Sequence, residues 1–295
     1  MKKPASNGQT LFNLISYTFL TLLSIVCLAP FIMLISGSFT DEEAIAYYGY
    51  SLWPQKFSIA AYRMLFRFPR DIIRSYGVSV FVTVSGTLLG LFIISMTAYV
   101  IGRKDVKYRN KISFYFYFVT LFNGGLVATY IAMVRYYNLK NSYIALILPL
   151  LMNAFYLIVM RSFLSSLPVS LAESAKMDGA GNFAIYSKII LPLSKPALAT
   201  VGLFIALDYW NDWYNAMLFI STPEKYPLQY VLYSMLSTAE ALSRISAQSR
   251  IPIQGQPRES IKLAMACIAT GPIILLYPFV QKFFIRGITI GAVKG

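Results

Sequence analysis

The sequence predicts an all-α integral membrane protein with about six transmembrane helices and a polar helix–turn–helix between spans four and five. Of its 295 residues, 57% are hydrophobic and only 13% are charged, which is about half the charge of a soluble domain. Six apolar stretches are long enough to cross about 30 Å of hydrocarbon as helices. They lie near residues 11–37, 73–102, 112–134, 142–160, 197–220 and 263–285.

The first apolar run is predicted to be an uncleaved span. Lys2 and Lys3 precede it, as in a signal peptide, but the stretch from Leu11 is too long for one and no A-x-A cleavage site follows. The third and fourth runs are separated by only a few residues, so we expect them to form a helical hairpin.

Orientation follows from basic residues in short loops. The loop after span two reads "RKDVKYRNK", with five Lys/Arg in nine residues, which predicts a cytoplasmic position. Six spans then place both termini and the polar segment at about 165–196 in the cytoplasm, and the long loops at about 38–71 and 221–262 outside. We expect one transmembrane domain over 1–295, with core spans at about 73–285.

Charge and composition exclude several function classes. The net charge of +14 is accounted for by positive-inside loops and contact with anionic lipid. Nucleic-acid binding is not expected, because the basic residues are divided between both sides of the membrane. The chain has no histidine, which excludes histidine-based triads and histidine metal ligands.

Two outer segments have contrasting patterns. "SIAAYRMLFRFPRDIIRSYG" mixes apolar and basic residues at helical spacing and predicts an interfacial helix on the outer leaflet before span two. Residues 238–259 are polar and show no clear secondary-structure period, which predicts a long irregular loop. That loop is either functional, with Arg244, Arg250 and Arg258 facing an acidic partner or an acidic sugar, or simply solvated.

The polar segment between spans four and five reads "SLAESAKMDGAGNFAIYSKIILPL". Ser170 stands three residues before Glu173, the spacing of a capping box, which predicts a short helix over 171–178. Gly179 and Gly181 are expected to end it, because glycine accepts the left-handed conformation. Asn182 is expected to cap a second short helix, "FAIYSKII", before Pro192 and Pro196 begin span five.

This segment resembles the cytoplasmic loop of permease subunits of binding-protein-dependent ABC importers, whose pattern is E-A-A-x3-G-x9-I-x-L-P. The matching residues, with serine in place of the first alanine, are Glu173, Ser174, Ala175, Gly179, Ile189, Leu191 and Pro192. "YWNDWYNAMLF", "ESIKLAMACIATGPIILLYPFVQKFF" and "GITIGAVKG" resemble the fifth span, last span and tail of carbohydrate permeases of the type of the smaller maltose-transporter permease. Permeases for alginate- and pectin-derived oligosaccharides are the nearest branch.

The resemblance implies that the segment is a coupling helix docked on a cytoplasmic ATPase. Asp178 and Ala180 then belong to the coupling surface with the matched residues, unless Glu173 serves only as a helix cap. The tail would contact the ATPases through Gly291, Ala292, Val293, Lys294 and Gly295, or fray as an ordinary terminus. The expected partners are a second permease, two ATPases, an extracytoplasmic sugar-binding protein and membrane lipid.

The chain is not expected to be an enzyme or to bind a cofactor. It lacks G-x-x-x-x-G-K-[ST], so ATP and Mg²⁺ would be bound by the separate ATPase. The resemblance places the protein in the cytoplasmic (inner) membrane of a bacterium.

A polar stripe in span five is the candidate substrate pathway. Asp208, Asn211, Asp212 and Asn215 stand at i, i+3, i+4 and i+7, which predicts one helix face near mid-membrane. Carboxylates at that depth need a cavity or a partner. Tyr209, Trp210, Trp213 and Tyr214 flank the stripe, and aromatic rings beside hydrogen-bonding groups suit a sugar. Packing between helices, or pairing of Asp212 with the second permease, is the alternative.

Weaker candidates and rival functions remain at this point. Asn123 in span three and Asn153 in span four suit interhelical hydrogen bonds as well as a pathway, and Arg135 suits a vestibule or snorkelling. A self-contained carrier or channel would not need the glycine-hinged segment, and an intramembrane enzyme would need opposed carboxylates. Basic outer loops favour an acidic oligosaccharide, whereas Asp208 and Asp212 favour a neutral one.

Overall fold

The computed structural model describes residues 7–67, 69–122, 124–249 and 259–274. The helices are α1 (Asn7–Ser38), α2 (Glu42–Tyr48), α3 (Ala60–Leu65), α4 (Pro69–Gly102), α5 (Arg109–Leu121), α6 (Gly125–Ile131), α7 (Ile144–Ile147), α8 (Ala154–Ser165), α9 (Val169–Met177), α10 (Asn182–Ile185), α11 (Leu191–Leu193), α12 (Lys195–Asn211), α13 (Tyr214–Phe219), α14 (Leu228–Ser249) and α15 (259–274). The described residues contain no β-sheet, only an isolated bridge between Thr40 and Phe57. The predicted all-α fold class is confirmed.

The membrane-length helices follow the predicted runs, but most of them are broken. Gly8–Ser38 and Pro69–Gly102 are each long and apolar enough to cross a membrane. Up to five spans result if three bent pairs each count as one. These pairs are Arg109–Leu121 with Gly125–Tyr136 at 114°, Ile144–Leu150 with Ala154–Ser165 at 55°, and Asn182–Leu193 with Lys195–Asn211 at 82°. Of the predicted sixth span, residues 263–274 lie in α15 and the rest lie outside the described residues.

Contacts divide the chain into two compact units. The first comprises Met1–Pro69 and Ser234–Gly271. In it, the Glu42 carboxylate accepts hydrogen bonds from the main-chain nitrogens of Glu259 and Ser260 at 2.9 and 3.0 Å, and from Ser260 Oγ at 2.9 Å. Glu42 therefore caps the first turn of α15, where the helix dipole favours negative charge.

Glu259 in the same unit is paired on its other side. Its carboxylate accepts from Tyr50 Oη and from Lys262 Nζ, both at 2.9 Å. Burial opposes ionisation of this carboxyl, but these two hydrogen bonds outweigh it and leave the pKa of Glu259 below its usual value. The start of α15 is therefore held to the loop after α2 and to Glu42 by charge-assisted bonds.

The second unit, Arg70–Tyr233 and Pro272–Gly295, has an apolar core built from α4, α7, α8, α12 and α13. Its members include Ile94, Leu146, Met160, Ile205 and Ala216, each 1% exposed or less. A Cβ at Gly86 would collide with the ring of a tyrosine in α12, and one at Gly202 would meet the side chain of Leu91 at 2.9 Å. These glycines therefore allow α4 and α12 to pack closely.

One end of the same unit is fixed by Asn141, which has a left-handed backbone with a φ of 60°. Its main-chain nitrogen donates to the Phe219 carbonyl at 2.8 Å, and its side-chain Nδ2 donates to Thr222 Oγ1 at 2.5 Å. Its carbonyl accepts from Lys225 Nζ at 2.5 Å. The end of α13 and the loop that follows it are therefore tied to the residues before α7.

Two predictions about the outer segments are wrong. Residues 238–259 were predicted to form an irregular loop, yet α14 continues to Ser249, and residues 250–258 lie outside the described residues. The 22 residues of α14 contain no glycine or proline and include four Leu and three Ala, so helix propensity favours the helix although the sequence shows no clear hydrophobic period after Thr238. The predicted single interfacial helix is also wrong, because α3 ends at Leu65 and the later residues begin α4.

Candidate functional site

The predicted helix–turn–helix is present, and its turn is a complete Schellman motif. The helix α9 ends at Met177, and Gly179 adopts a φ of +81°. The Gly179 nitrogen donates to the Lys176 carbonyl at 3.0 Å, and the Ala180 nitrogen donates to the Ala175 carbonyl at 2.9 Å. This pair of bonds is the 5→2 and 6→1 pattern that satisfies the last carbonyls of a helix. The predicted role of Gly179 as the helix terminator is confirmed.

The predicted helix starts are wrong. Helix α9 begins at Val169 after Pro168, without a side-chain cap, so Ser170 lies inside the first turn and forms no capping box. Pro168 takes the boundary two residues earlier because its fixed φ and missing N–H suit a helix start. Asn182 does not cap α10 either: Gly181 holds that position, and the Asn182 side chain is bonded to Arg103.

The residues of the family pattern are divided between surface and core. Those on α9 and the turn are exposed or half-buried: Glu173, Ser174, Ala175, Asp178, Gly179 and Ala180. Glu173 has no hydrogen-bond or ion-pair partner among the described residues, and Met177 beside it is 88% exposed. The second part of the segment passes through a π-helical turn, Tyr186–Ile190, into α11. There, Ile189 and Leu191 are half-buried and Pro192 is exposed.

A charged cluster joins this segment to the end of α4. The Arg103 guanidinium forms a bidentate pair with Asp105, through Nε at 2.8 Å to Oδ1 and through Nη2 to Oδ2. Arg103 Nη1 also donates to Asn182 Oδ1 at 2.8 Å. Lys176 Nζ donates to Asp105 Oδ2 at 2.9 Å. The bonds from Arg103 and then Lys176 hold the pKa of the Asp105 carboxyl well below its usual value.

Deeper contacts run between the same elements. Tyr186 is 4% exposed, and its hydroxyl shares a 2.7 Å hydrogen bond with Ser95 Oγ of α4. The Tyr186 ring lies 5.5 Å from the ring of Tyr99, over which the Arg103 guanidinium stacks at 5.4 Å. The π-helical turn is therefore attached to the last turns of α4, α10 to Arg103 just after them, and α9 to Asp105 in the following loop. The basic loop was predictable from the sequence, but the residues with which it pairs were not.

The predicted polar stripe does not lie on one helix face. Helix α12 ends at Asn211, and Asp212 has an extended backbone with ψ of 104°. Asp212 accepts from the nitrogen of Asn215 at 3.1 Å and from Asn215 Nδ2 at 2.9 Å, so it acts as a cap at the start of α13. Asn215 therefore belongs to a new helix and Asp212 to the break before it, and a short polar side chain that competes with the backbone explains the break.

The members of the stripe have different surroundings. Asp208 is exposed, and its Oδ2 accepts from the hydroxyl of Tyr156 on α8 at 2.7 Å. Asn211 is exposed and accepts from Gln229 Nε2 at 3.3 Å. Tyr209 is 3% exposed and donates its hydroxyl to the Ile147 carbonyl at 2.7 Å. Tyr209 thus packs between helices in this structure, and its role in the pathway stays a prediction.

The remaining candidates are also located by the structure, except Asn123, which lies outside the described residues. Trp210 is buried with its ring 6.2 Å from that of Tyr76. The side chain of Asn153 accepts from the nitrogen of Phe155 at 2.8 Å and caps α8. Arg135 is exposed in a π-helical turn. The tail from Gly291 to Gly295 also lies outside the described residues.

A row of aromatic rings, missed in the sequence, adjoins Asp212. The rings of Trp213 and Tyr233 stack with centroids 4.0 Å apart. Tyr233 is 6.4 Å from Tyr230, which is 4.6 Å from Tyr226. Tyr226, Tyr230 and Tyr233 stand at i, i+4 and i+7, which is the signal that predicts one face. No three or more Cys, Asp or Glu among the described residues are grouped to hold a metal ion.

The broken apolar helices and the ordered helix–turn–helix between them define this chain as an α-helical membrane protein. No protein-family model matches it. The polygalacturonan/rhamnogalacturonan transport system permease protein YtcP of Bacillus subtilis (strain 168) is 40% identical over 288 residues, which cover 97% of this chain and 99% of that protein. Protein LplC of the same organism is 40% identical over 286 residues, covering 96% and 95%.

A solved structure is similar over the whole fold. It is the crystal structure of a bacterial ABC transporter involved in the import of the acidic polysaccharide alginate, with a TM-score of 0.80, 27% identity, and coverage of 96% of this chain and 100% of that chain. Together with the two relatives, it shows that the chain belongs to the family of permease subunits of ABC sugar transporters. The family that the sequence predicted is thereby confirmed.

Proposed function

We propose that this chain is one of two permease subunits of an ATP-driven importer that moves an acidic oligosaccharide across the cytoplasmic membrane. The observation that carries the substrate class is the 40% identity, over 97% of the chain, to a permease named for polygalacturonan and rhamnogalacturonan. The similar solved structure belongs to a transporter of alginate, which is also acidic. Both names indicate sugars that contain uronate groups, and the two proteins that carry these names differ in their identity to this chain.

The residues near the helix break suit a sugar path. Asp208 and Asp212 carry carboxylates that are already hydrogen-bonded, to Tyr156 and to Asn215, so their charge is partly satisfied within the chain. Beside them lie the half-buried rings of Trp213 and Tyr233, and aromatic rings suit the apolar faces of sugars. The second candidate is a neutral oligosaccharide, which is favoured by the exposure of Asp208, because that carboxylate would repel a uronate.

The helix–turn–helix is the proposed contact with one of two separate ATPase subunits. Glu173, unpaired within the described residues, and the exposed Met177 offer a carboxylate and an apolar side chain to a partner. In this arrangement the segment and both termini are cytoplasmic, and the tail from Gly291 contacts the ATPases. ATP and Mg²⁺ are bound by those subunits, and an extracytoplasmic binding protein delivers the sugar.

Uptake into proteoliposomes tests this function. The chain is reconstituted with its partner permease, ATPases and binding protein, and uptake of a labelled galacturonate oligosaccharide is compared with that of a neutral arabino-oligosaccharide of equal length. We expect ATP-dependent uptake of the acidic sugar and no uptake when the ATPases are omitted. Preferential uptake of the neutral sugar would select the second candidate. Uptake by the permeases alone would show a self-contained carrier.

A further inference from the structure

We propose that Arg103, Asp105, Lys176 and Asn182, called here the Arg103 clamp, position both short helices of the helix–turn–helix on α4 and so transmit their movement to the core of the permease. This inference rests on the proposed coupling role of that segment. The clamp residues contact no sugar or nucleotide in this role: they are positioning residues that act through α9 and α10.

The geometry of the clamp makes it more than an isolated surface pair. One planar guanidinium bonds Asp105 through two nitrogens and Asn182 through the third, so it reaches the loop and α10 at once. The same Asp105 carboxylate also holds Lys176 of α9 at 2.9 Å. An isolated exposed ion pair contributes little, but a bidentate, shared network fixes orientation as well as distance.

The space around the clamp is not filled by apolar packing. A cavity of about 480 Å³ lies between the end of α4 and α10, lined by Arg103, Asp105 and Asn182 together with Tyr99, Phe183 and Tyr186. Phe183 is 64% exposed, so it does not close this space. The polar bonds of the clamp therefore cross a gap that side-chain packing leaves open.

The elements that the clamp joins extend into the core of the same unit. Helix α4 contributes Ile94, Ala98 and Ile101 to the apolar core, and α10 leads through α11 into α12, which carries Asp208. A force applied to the exposed surface of α9 has three routes inward: along the chain to α12, through the clamp to α4, and through the contacts of Tyr186 with Ser95 and Tyr99 to α4. Loss of the clamp removes the direct bond of α9 to the loop after α4 and leaves the other two routes.

Four variants of the assembled transporter test the clamp: Asp105→Asn, Lys176→Met, the double variant, and Lys104→Met as a matched control. Lys104 lies in the same loop, is exposed and has no partner among the described residues. The quantity measured is the ratio of sugar-stimulated to basal ATP hydrolysis, with recovery of the intact complex. We expect each single clamp variant to lower the ratio about threefold to tenfold, and the control to leave it unchanged.

The double variant and a conservative replacement sharpen the test. Asp105→Asn combined with Lys176→Met should lower the ratio no further than one single variant does, because both break the same network. Lys176→Arg should preserve the ratio, since it keeps a donor for Asp105. A fall in complex recovery and in both hydrolysis rates together would show a purely structural role and overturn the inference.

Failure of the clamp is distinguishable from failure of the proposed function. Gly179→Val alters the turn itself and leaves every clamp residue in place. If Gly179→Val abolishes stimulation while all clamp variants keep the wild-type ratio, the coupling role stands and the clamp is overturned. If Gly179→Val also keeps the wild-type ratio, the proposed coupling role is overturned, and the clamp inference with it.

Discussion

Replacement of Gly179 tests the coupling segment through backbone conformation alone. Its φ of +81° lies in the left-handed region, and no atom lies within 4 Å of a Cβ built there. Any effect of a small substitution must therefore come from backbone strain and not from collision. An L-residue in this region costs about 1–2 kcal/mol relative to glycine, less for asparagine and more for a β-branched residue.

The expected order of disruption is Gly179→Asn, then Gly179→Ala, then Gly179→Val. With tenfold in an equilibrium constant for every 1.4 kcal/mol, alanine should reduce the ratio of intact to disrupted Schellman turn roughly fivefold to thirtyfold, and valine more. The assay is stimulation of ATP hydrolysis by sugar-loaded binding protein in the reconstituted complex. Stimulation should decline in the same order, because only the intact turn presents α9 and α10 together.

Gly181 provides the matched control for this series. It also has no atom within 4 Å of a Cβ, but its φ of −70° and ψ of 158° are extended backbone that valine adopts readily. Gly181→Val should therefore preserve stimulation. Equal losses for valine at both positions, or an equal loss for asparagine and valine at Gly179, would refute the argument from backbone strain.

Three further predictions concern other parts of the chain. In uptake kinetics, Asp208→Asn should lower transport of a sugar that contacts this carboxylate by roughly 1.5–3 kcal/mol of transition-state free energy. Tyr156→Phe removes only the internal hydrogen bond and should lower transport less. Equal effects of the two variants would contradict sugar contact. Glu42→Ala should lower the thermal stability of the purified subunit by about 1–2 kcal/mol through loss of the α15 cap, and the exposed Glu43→Ala should not; equal melting temperatures would contradict the cap. Gly86→Val should reduce recovery of folded protein, because its side chain enters the space of the Tyr209 ring, while Gly77→Val, with no neighbour within 4 Å, should be tolerated; normal recovery of Gly86→Val would contradict the close packing.

Features that depend on local chemistry were predictable from the sequence. Apolar length predicted the spans, and Gly179 followed from the need for a left-handed residue at a helix end. The capping box failed because Pro168 is a second start signal two residues earlier, and pattern alone does not decide between two signals. The stripe from Asp208 to Asn215 failed for a related reason, since spacing on a helix assumes an unbroken helix, and Asp212 ends this one by capping the next.

Contacts between distant residues were not predictable in this way. Arg103 and Asn182 are 79 residues apart, and Tyr156 and Asp208 are 52 apart. The basic loop was correctly recognised as charged, but nothing in its composition specifies which carboxylate or amide each side chain meets. Such pairings are set by how α4, α8 and α12 pack, and that packing depends on the whole core.

The interruption at residues 212 and 213 gives the two parts of one span different attachments. Beyond it, α13 is fastened through Phe219 to Asn141 and its bonded loop. Before it, α12 continues from the segment that bears the exposed surface of α9. A continuous rod would carry every tilt of its inner end to its outer end. A jointed one allows α12 to tilt while α13 keeps its place, so Asp208 can move without disturbing the contacts of α13.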